Sequence, residues 1–330
     1  MKASTGSGAR RWRALAWQVL AVAALLALAF FLADNTQENM RLRGIRSGFD
    51  FLADPAGFDI GESLFPFSAG DPYWRAFLAG LGNTVRVALA GIVLATIVGM
   101  LVGVGRLSRN ALLRWLCGAY VESFRNLPLL LQLLMWYFML AELLPPVSEA
   151  LQPLPHVYLS KSGLSFPDLA GWLAGRGLDV PERTVFNISG GAAVTPEFLA
   201  LLLGLSLYTA AFIAEIVRSG IQSVPWGQLE AAGALGLTAR QTLRLVVLPQ
   251  ALRVMIPPTA NQYLNLTKNS SLAVAIGYPD LVSITNTSLN QTGRAIECIA
   301  IMMAIYLVLS LATAWLMNRY NARAAIREDK

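Results

Sequence analysis

The chain has 330 residues, of which 55% are hydrophobic and 14% are charged. Soluble domains carry about 25% charged residues, so this composition excludes an ordinary soluble protein and indicates an integral membrane protein. The net charge of +6 does not indicate a nucleic-acid-binding protein, because the basic residues lie beside apolar segments.

Reactive side chains are scarce in this sequence. Cys117 and Cys298 lie in or next to apolar segments, which is typical of small apolar residues and not of a disulfide or metal site. A single histidine, His156, excludes a histidine cluster. The P-loop pattern G-x-x-x-x-G-K-S/T is absent from the sequence. We therefore predict no catalytic residue, no metal ligand and no cofactor in this chain.

A first apolar segment follows a basic start. Residues 1–13 contain four basic residues and no acidic one, and Ala14–Ala33 is uncharged. That segment is about long enough to cross a bilayer as a helix. A cleaved signal peptide is the alternative, but its apolar core is only about 7–15 residues long. We predict an uncleaved extra transmembrane helix at 14–33, followed by a periplasmic linker at 34–82.

Two further spans precede a second polar region. Apolar residues predict a span at about Thr84–Gly105, with Arg86 near its outer end, from where its side chain reaches the interface. The next span starts within Trp115–Leu127 and ends near Ala141. Residues 145–197 are polar and form an insertion after this third span.

Three more spans complete the predicted set of six. The fourth runs from Phe198 to about Val217, the fifth from Val254 to Gly277 and the sixth from Cys298 to Met317. Pro257 and Pro258 are expected to kink or break the fifth span near its start.

The charge distribution predicts the orientation of the chain. An even number of spans puts both termini on one side of the membrane. Basic residues are in excess in the N-terminus, in 106–114, in a loop at 218–253 and in a tail at 318–330, whereas 34–75 and 145–197 are net acidic. The positive-inside rule therefore predicts that both termini and the 218–253 loop are cytoplasmic.

Within that loop, Ser223–Pro249 is a polar stretch of mostly helix-forming residues, for which we predict two short helices. Ser223 is expected to cap the start of the first, and Gly236 to end it in the left-handed conformation. Thr238 would open the second with a capping box. Pro249 would end it, since proline disfavours helical backbone at the preceding residue. A surface hairpin without a partner is the plain alternative.

The same stretch also matches a longer pattern: EAA, three residues, glycine, nine residues, an aliphatic residue, one residue, and Leu-Pro. The matching residues are Glu230, Ala231, Ala232, Gly236, Val246, Leu248 and Pro249. Only Val246 departs from the usual residue, which is isoleucine. The stretch thus resembles the EAA loop of ABC importer permeases, which contacts a separate ATPase.

Other motifs between about Asn83 and Met317 resemble the polar amino-acid branch of these permeases. They are Asn83-Thr-Val-Arg86, Glu122-x-x-Arg125-Asn-x-Pro128-Leu-Leu, Tyr208-x-x-Ala-x-Ile-Ala-Glu215-x-x-Arg218, Gln250-Ala-x-Arg253 and Lys268-Asn-Ser-Ser-Leu272. The extra N-terminal span and the 145–197 insertion depart from the five-span core of that branch. Both resemble the larger (Q-type) permease subunits of general L-amino-acid importers.

This resemblance implies an all-α integral membrane fold with six transmembrane helices. It implies a type I ABC importer permease (MetI-like) core at 83–317, preceded by the extra span, in the bacterial inner membrane. The implied cargo is general or polar L-amino acids, such as glutamate, glutamine, aspartate and asparagine. The implied partners are a second permease subunit in a heterodimer, an ABC ATPase dimer that binds the ATP, a periplasmic amino-acid-binding protein and membrane lipid, with no nucleic acid.

The resemblance also implies which residues act. Coupling to the ATPase would involve Glu230, Ala231, Ala232, Gly236, Leu248 and Pro249. Closing of the ATPase dimer would then move the spans as rigid bodies.

Polar residues in the fifth span are candidates for the substrate path, because they are costly against lipid. They are Asn265, Lys268, Asn269, Ser270 and Ser271. Hydrogen bonding between helices, worth about 0.6 kcal/mol each, is the alternative. Glu122–Arg125 and Glu215–Arg218 are spaced to pair on one helix face, and we predict structural ion pairs there.

Two other functions are compatible with a multi-span chain. An ion-coupled secondary carrier would transport without a partner, but the sequence has no inverted repeat to favour it. A membrane assembly protein would bind partners without transporting anything.

Overall fold

The computed structural model describes residues 6–42, 44, 47–173, 175, 177–184 and 187–324. Residues 1–5 of the predicted N-terminus and 325–330 of the predicted tail lie outside the described residues. The helices are α1 Gly6–Leu42, α2 Tyr73–Gly105, α3 Ala111–Asn126, α4 Leu129–Leu143, α5 Leu169–Leu173, α6 Pro196–Gln222, α7 Trp226–Ala234, α8 Ala239–Thr242, α9 Leu248–Asn269, α10 Leu281–Thr292 and α11 Ala295–Ala324. The strands are β1 Leu151–Leu154, β2 Val157–Ser160, β3 Gly163–Phe166, β4 Glu182–Arg183, β5 Ile188–Ser189 and β6 Ala192–Val194.

Four described helices are long and apolar enough to cross a membrane: Leu15–Leu42, Tyr73–Gly105, Pro196–Gln222 and Ala295–Arg319. The pair α3 and α4 makes a fifth candidate, as two helices bent by 108°. Helix α9 occupies the place of the fifth predicted span. It is long enough to cross a membrane, but its polar side chains make it less apolar than the four helices named above.

The third predicted span is two helices and not one, which corrects the sequence prediction. Leu127 is extended (φ −91°, ψ 135°), because the residue before a proline is disfavoured in the helical conformation and Pro128 follows. Gln132 Nε2 donates to the Phe124 carbonyl at 2.9 Å and to the Leu127 carbonyl at 3.0 Å. These bonds satisfy backbone groups that the end of α3 leaves without helical partners.

Several boundaries also differ from the prediction. The predicted linker at 34–82 is shorter, because α1 continues to Leu42 and α2 already begins at Tyr73. The loop predicted at 218–253 overlaps both α6 and α9, and α11 continues into the predicted tail at 318–330. Helix α10 was not predicted.

Of the kink or break predicted at Pro257–Pro258, the break is wrong. Helix α9 continues through both prolines, and the chain changes to a 3₁₀ helix only at Ser270–Ile276. Prolines are tolerated inside membrane helices when neighbouring helices and local adjustments satisfy the freed backbone groups. Near these prolines α9 also packs closely on α6, where the Met255 side chain fills the space beside Gly220.

Helices α2 and α6 form the centre of the bundle. They approach closely because α2 presents glycines to α6: a Cβ on Gly99 would lie 2.7 Å from Ile213, and a Cβ on Gly103 would lie 2.7 Å from Val217. Small residues at helix contacts allow this close packing in membranes. The buried apolar core around the two helices includes Val87, Leu133, Leu201, Leu205, Ile213 and Leu266.

The insertion after α4 contains the strands, so only the membrane part of the chain is purely helical. Strands β1, β2, β3 and β6 form an antiparallel sheet in the order β1-β2-β3-β6, and β4 pairs with β5. In the β3–β6 pair, Leu164 lies opposite Val194. That pairing brings the insertion back to Thr195, the residue that caps α6.

The linker between α1 and α2 is packed and not extended. Phe51 is buried in a cluster with Phe77 of α2 and Ile284 of α10. The Gly48 N–H donates to Glu297 Oε1 of α11 at 2.7 Å. By contrast, none of the most apolar window of α1 is buried. We call the end of the bundle with the linker and the strands the insertion end, and the end with α7 and α8 the hairpin end.

Candidate functional site: the helical hairpin and a polar helix face

The first turn of the hairpin depends on Gly236. Its φ is +74°, a left-handed value that L side chains rarely adopt. The N–H groups of Gly236 and Leu237 donate to the carbonyls of Gly233 (3.0 Å) and Ala232 (3.1 Å). These bonds close the end of α7 in the way that a glycine C-cap does. The predicted glycine turn is therefore confirmed.

Helix α8 begins at the predicted capping box. Gln241 N–H donates to Thr238 Oγ1 at 3.4 Å, and Thr238 N–H donates to Gln241 Oε1 at 2.9 Å. The prediction for Ser223 is wrong, because Ser223 ends α6 and its hydroxyl donates to the Gly220 carbonyl at 2.7 Å. Pro225 occupies the N-cap position of α7 without a side-chain bond.

Leu248 and Pro249 do not end a helix, which corrects a second prediction. Leu243–Val247 is a π-helical turn, and the Leu248 N–H donates to the Leu243 carbonyl five residues back. Proline lacks an N–H and clashes with the carbonyl four residues earlier in an α-helix. A π-turn inserts one residue at this place, so the chain stays helical from Ala239 to Asn269.

The hairpin exposes large apolar side chains. Trp226 is 72% exposed and Leu235 is 80% exposed. The two alanines of the EAA triplet differ: Ala232 is buried inside the hairpin and Ala231 is exposed. Glu230 Oε1 accepts a hydrogen bond from Trp226 Nε1 at 2.8 Å, so the carboxylate holds the indole in place.

Short connections fix the hairpin to the bundle. Only residues 223–225 separate α7 from α6, and α8 continues through the π-turn into α9. The Gln250 side chain of α9 donates to Gln228 Oε1 of α7 and to the Val246 carbonyl at 2.9 Å. Helix α7 is therefore connected closely to two helices of the bundle, α6 and α9.

At the hairpin end, Glu215 joins α2 to α6. Its carboxylate accepts hydrogen bonds from Arg106, at the end of α2, and from Arg218 Nε at 3.2 Å. We call these three residues the Glu215 junction. The predicted Glu215–Arg218 pair is confirmed, but the predicted Glu122–Arg125 pair is wrong. Glu122 lies 4.0 Å from Arg106, and the Arg125 guanidinium lies over Phe212 of α6, 5.2 Å from the ring centre.

The predicted substrate-path residues divide into two groups. Asn265 and Lys268 are exposed on one face of α9, and Asn269 and Ser271 are partly buried. Ser270 is fully buried and donates to the Thr267 carbonyl at 2.7 Å, so it does not face any path in this chain.

Lys268 and Ser271 border a cleft of about 480 Å³ between α9 and α11. The other residues around the cleft are Val282, Met302, Tyr306, Leu307 and Ser310. Among the residues that the structure describes, Lys268 forms no ion pair, and no cluster of histidine, cysteine or acidic residues could hold a metal ion.

The comparisons with known proteins agree with this geometry. Residues 70–326 match the model of the family described as binding-protein-dependent transport system inner membrane component. The chain belongs to this family. It is a permease, and the hairpin and the polar face of α9 both lie within the matched range.

Named relatives cover almost the whole permease. It is 43% identical to the general L-amino acid transport system permease protein AapQ of Rhizobium johnstonii, over 96% of this chain and 94% of that protein. It is 44% identical to the putative amino-acid ABC transporter permease protein YhdX of Escherichia coli, over 96% and 95%. The glutamate/glutamine/aspartate/asparagine transport system permease protein BztB of Rhodobacter capsulatus is 37% identical, over 96% of this chain and 95% of that protein.

Solved structures share the fold. A chain of an amino acid ABC transporter solved with histidines matches 76% of the permease and 95% of that chain, with 25% identity and a TM-score of 0.55. A chain of the MetNI methionine ABC transporter in an inward-facing conformation matches 76% and 97%, with a TM-score of 0.53 and 18% identity. The MetI-like fold predicted from the motifs is confirmed.

Sequence reasoning missed two features of the permease site. Trp226 and Leu235 were treated only as members of a helix-forming stretch, although large apolar residues in a polar loop are themselves a signal of a protein contact. Arg106 was assigned only to a basic cluster, and its partner Glu215 is too distant in sequence for spacing rules to identify.

Proposed function

We propose that this permease is the membrane subunit of an ATP-driven importer of L-amino acids, and that a separate ATPase drives it through the hairpin. The observation that carries the proposal is the exposure of Trp226 and Leu235 on a hairpin fixed between α6 and α9. Two large apolar side chains exposed on one short polar hairpin support a protein–protein contact there. The names of the relatives AapQ, YhdX and BztB support amino acids as the cargo.

In this proposal the hairpin end and both termini face the cytoplasm of a bacterium, and the chain lies in its inner membrane. The basic residues Arg106, Arg240 and Arg244 at the hairpin end support this orientation. A dimer of ATPase subunits binds the ATP, so this chain needs no cofactor of its own. A second, different permease subunit completes the path, and a periplasmic binding protein delivers the amino acid at the insertion end.

Each residue of the EAA loop then has a physical role. Glu230 orients the Trp226 indole, and exposed Ala231 lets the partner approach α7 closely. Ala232 packs inside the hairpin, and Gly236 permits its sharp turn. Leu248 and Pro249 hold the π-turn that joins the hairpin to α9 without a flexible break. When the ATPase dimer closes, α6 and α9 move with the hairpin as rigid bodies.

We also propose that the exposed polar face of α9 lines the path of the amino acid. Asn265 and Lys268 would be costly against lipid, and Lys268 borders a cleft with hydroxyl groups. The test is the KM of amino-acid uptake in alanine variants. Lys268→Ala and Asn265→Ala should raise the KM, whereas Ser270→Ala, at a buried position, should not. An unchanged KM in the first two variants would leave these residues a packing role only.

The main test of the proposed function is copurification of a P-loop ATPase with the tagged permease. The double variant Trp226→Ala/Leu235→Ala should lose the ATPase while it still inserts into the membrane. Trp172→Ala is the matched control, because Trp172 is also exposed (56%) but lies in the insertion. Retention of the ATPase by the double variant would contradict the proposal. Amino-acid uptake by the chain alone would instead identify a secondary carrier.

A further inference from the structure

We infer that Glu62 of the linker is a positioning residue that holds the outer ends of α2 and α6 together and keeps the periplasmic side of the path closed until substrate is delivered. This inference rests on the proposed function, which defines the path and its periplasmic side. The linker was expected only to connect the extra span to the permease core. The contacts of Glu62 indicate a second role for the linker, which is to connect the central helices.

Glu62 binds both central helices through one carboxylate. Its Oε1 accepts a hydrogen bond from Arg86 Nη1 of α2 at 2.5 Å, and its Oε2 accepts from the Thr195 N–H, at the start of α6, at 3.1 Å. The Glu62 side chain is only 8% exposed and that of Arg86 is 25% exposed. We call these three residues the Glu62 junction. Arg86 was expected to extend to the lipid interface, and this ion pair corrects that expectation.

A third element meets the junction one turn earlier on the same face of α2. Asn83 Nδ2 donates to the backbone carbonyl of Glu62 at 2.7 Å and to that of Pro279 at 2.9 Å. The Arg86 guanidinium also lies 4.5 Å from the centre of the Phe198 ring of α6. The linker backbone and side chain thus connect α2, α6 and the turn before α10.

The linker itself is fixed at its other end. Arg294, just before α11, donates to Asp50 Oδ2 at 3.0 Å and to the Gly48 carbonyl at 2.5 Å. Phe51 packs edge-on against Tyr73, with 5.5 Å between ring centres. Glu62 is held to α2 through Asn83 and Arg86 and to α6 through the Thr195 N–H. It cannot stay bound to both helices if their outer ends separate, so opening of the outer side requires a bond of Glu62 to break.

This arrangement links the two ends of the bundle. Helices α2 and α6 are closely packed between the junctions, so a change at their outer ends is transmitted along two stiff helices and is not absorbed by a flexible segment. In the proposed importer, weakening the Glu62 junction would favour outer opening without substrate. The ATPase dimer would then close, and hydrolyse ATP, more often in the absence of an amino acid.

The test uses the complete complex of both permease subunits, the ATPase dimer and the binding protein in proteoliposomes. Glu62→Gln keeps the shape of the side chain and removes its charge. We expect ATP hydrolysis without amino acid to rise by about tenfold, the factor that the loss of one charge-assisted hydrogen bond allows. The matched control is Glu197→Gln, since Glu197 lines the same cavity as Glu62 and forms no ion pair among the described residues. It should leave hydrolysis unchanged.

Two results would overturn the inference. One is hydrolysis by Glu62→Gln that depends on the amino acid as strictly as in the unmodified complex. The other is a lower thermal midpoint of Glu62→Gln with that dependence intact, which would show a purely structural role. The unmodified complex tests the proposed function separately, because a complete lack of stimulation by amino acid there would contradict the importer itself and not the role of Glu62.

Discussion

The Glu62 junction and the Glu215 junction hold the same two helices at opposite ends, but they are built differently. At the insertion end, a loop supplies the carboxylate, which is 8% exposed and has one arginine partner. At the hairpin end, the carboxylate belongs to α6 itself, is 26% exposed and accepts from two arginines, Arg106 and Arg218. Both carboxylates thus bridge α2 to α6.

The two junctions should respond differently to the loss of one arginine. The loop carboxylate has a single charged partner in a buried place, so its loss leaves the remaining charge without compensation. The helix carboxylate has a second partner, so one arginine can be lost while the charge stays neutralised. We therefore expect the Glu62 junction to be sensitive to a single substitution and the Glu215 junction to be tolerant.

The largest effect is expected for Arg86→Ala, which leaves the buried Glu62 carboxylate without its cation. Removing one partner of a buried pair costs about 3 kcal/mol or more. We expect that loss in the free energy of unfolding of the purified permease in detergent. Arg75→Ala is the control, because Arg75 pairs with Asp71 nearby but is 42% exposed, and exposed pairs contribute about 0–1 kcal/mol. Equal losses in the two variants would show that the Glu62 junction stabilises the permease no more than an exposed ion pair does.

A smaller effect is expected between the junctions, where α2 and α6 touch. In Gly103→Ala, the new Cβ would lie 2.7 Å from Val217 and 2.8 Å from the Ala214 carbonyl. Overpacking of this kind costs about 1–3 kcal/mol. Gly118→Ala on α3 is the matched control, since nothing lies within 4 Å of its Cβ position, and alanine there should stabilise the helix slightly. Unfolding in detergent compares the two, and a neutral Gly103→Ala would show that the helices separate easily.

The smallest effect is expected for Arg106→Ala at the Glu215 junction. Arg218 still donates to Glu215 in that variant, so the carboxylate keeps a cation. We expect a loss of about 1 kcal/mol, the scale of a partly exposed ion pair. In the double variant Arg106→Ala/Arg218→Ala, the loss in free energy of unfolding should clearly exceed the sum of the losses in the two single variants. Additive losses would mean that the two arginines do not share the carboxylate.

The sequence predicted best what depends on neighbouring residues. The capping box at Thr238 and the left-handed turn at Gly236 follow from local backbone chemistry, and the structure has both. The composition rules also located the apolar helices, because a bilayer requires a minimum length of apolar sequence.

Proline was the main source of error, since its effect depends on context. Pro128 produces a bend that the sequence analysis placed inside one span, whereas Pro249, Pro257 and Pro258 lie in continuous helix. The π-turn and the packing around α9 decide these cases, and neither is visible in a local pattern. The Glu62 junction was also out of reach, because its three residues are far apart in the sequence and only the fold brings them together.

The most direct test of the central claim, that the hairpin transmits movement from an ATPase, is amino-acid-stimulated ATP hydrolysis by the Gly236→Val complex in proteoliposomes. Nothing lies near the Cβ position of Gly236, so valine there disturbs only the left-handed turn, at a cost of about 1–2 kcal/mol or more for a β-branched residue. Gly118→Val is the control on α3. We predict that Gly236→Val inserts and binds the ATPase but loses stimulation by the amino acid, while Gly118→Val keeps it. Full stimulation in Gly236→Val would contradict this account of the hairpin.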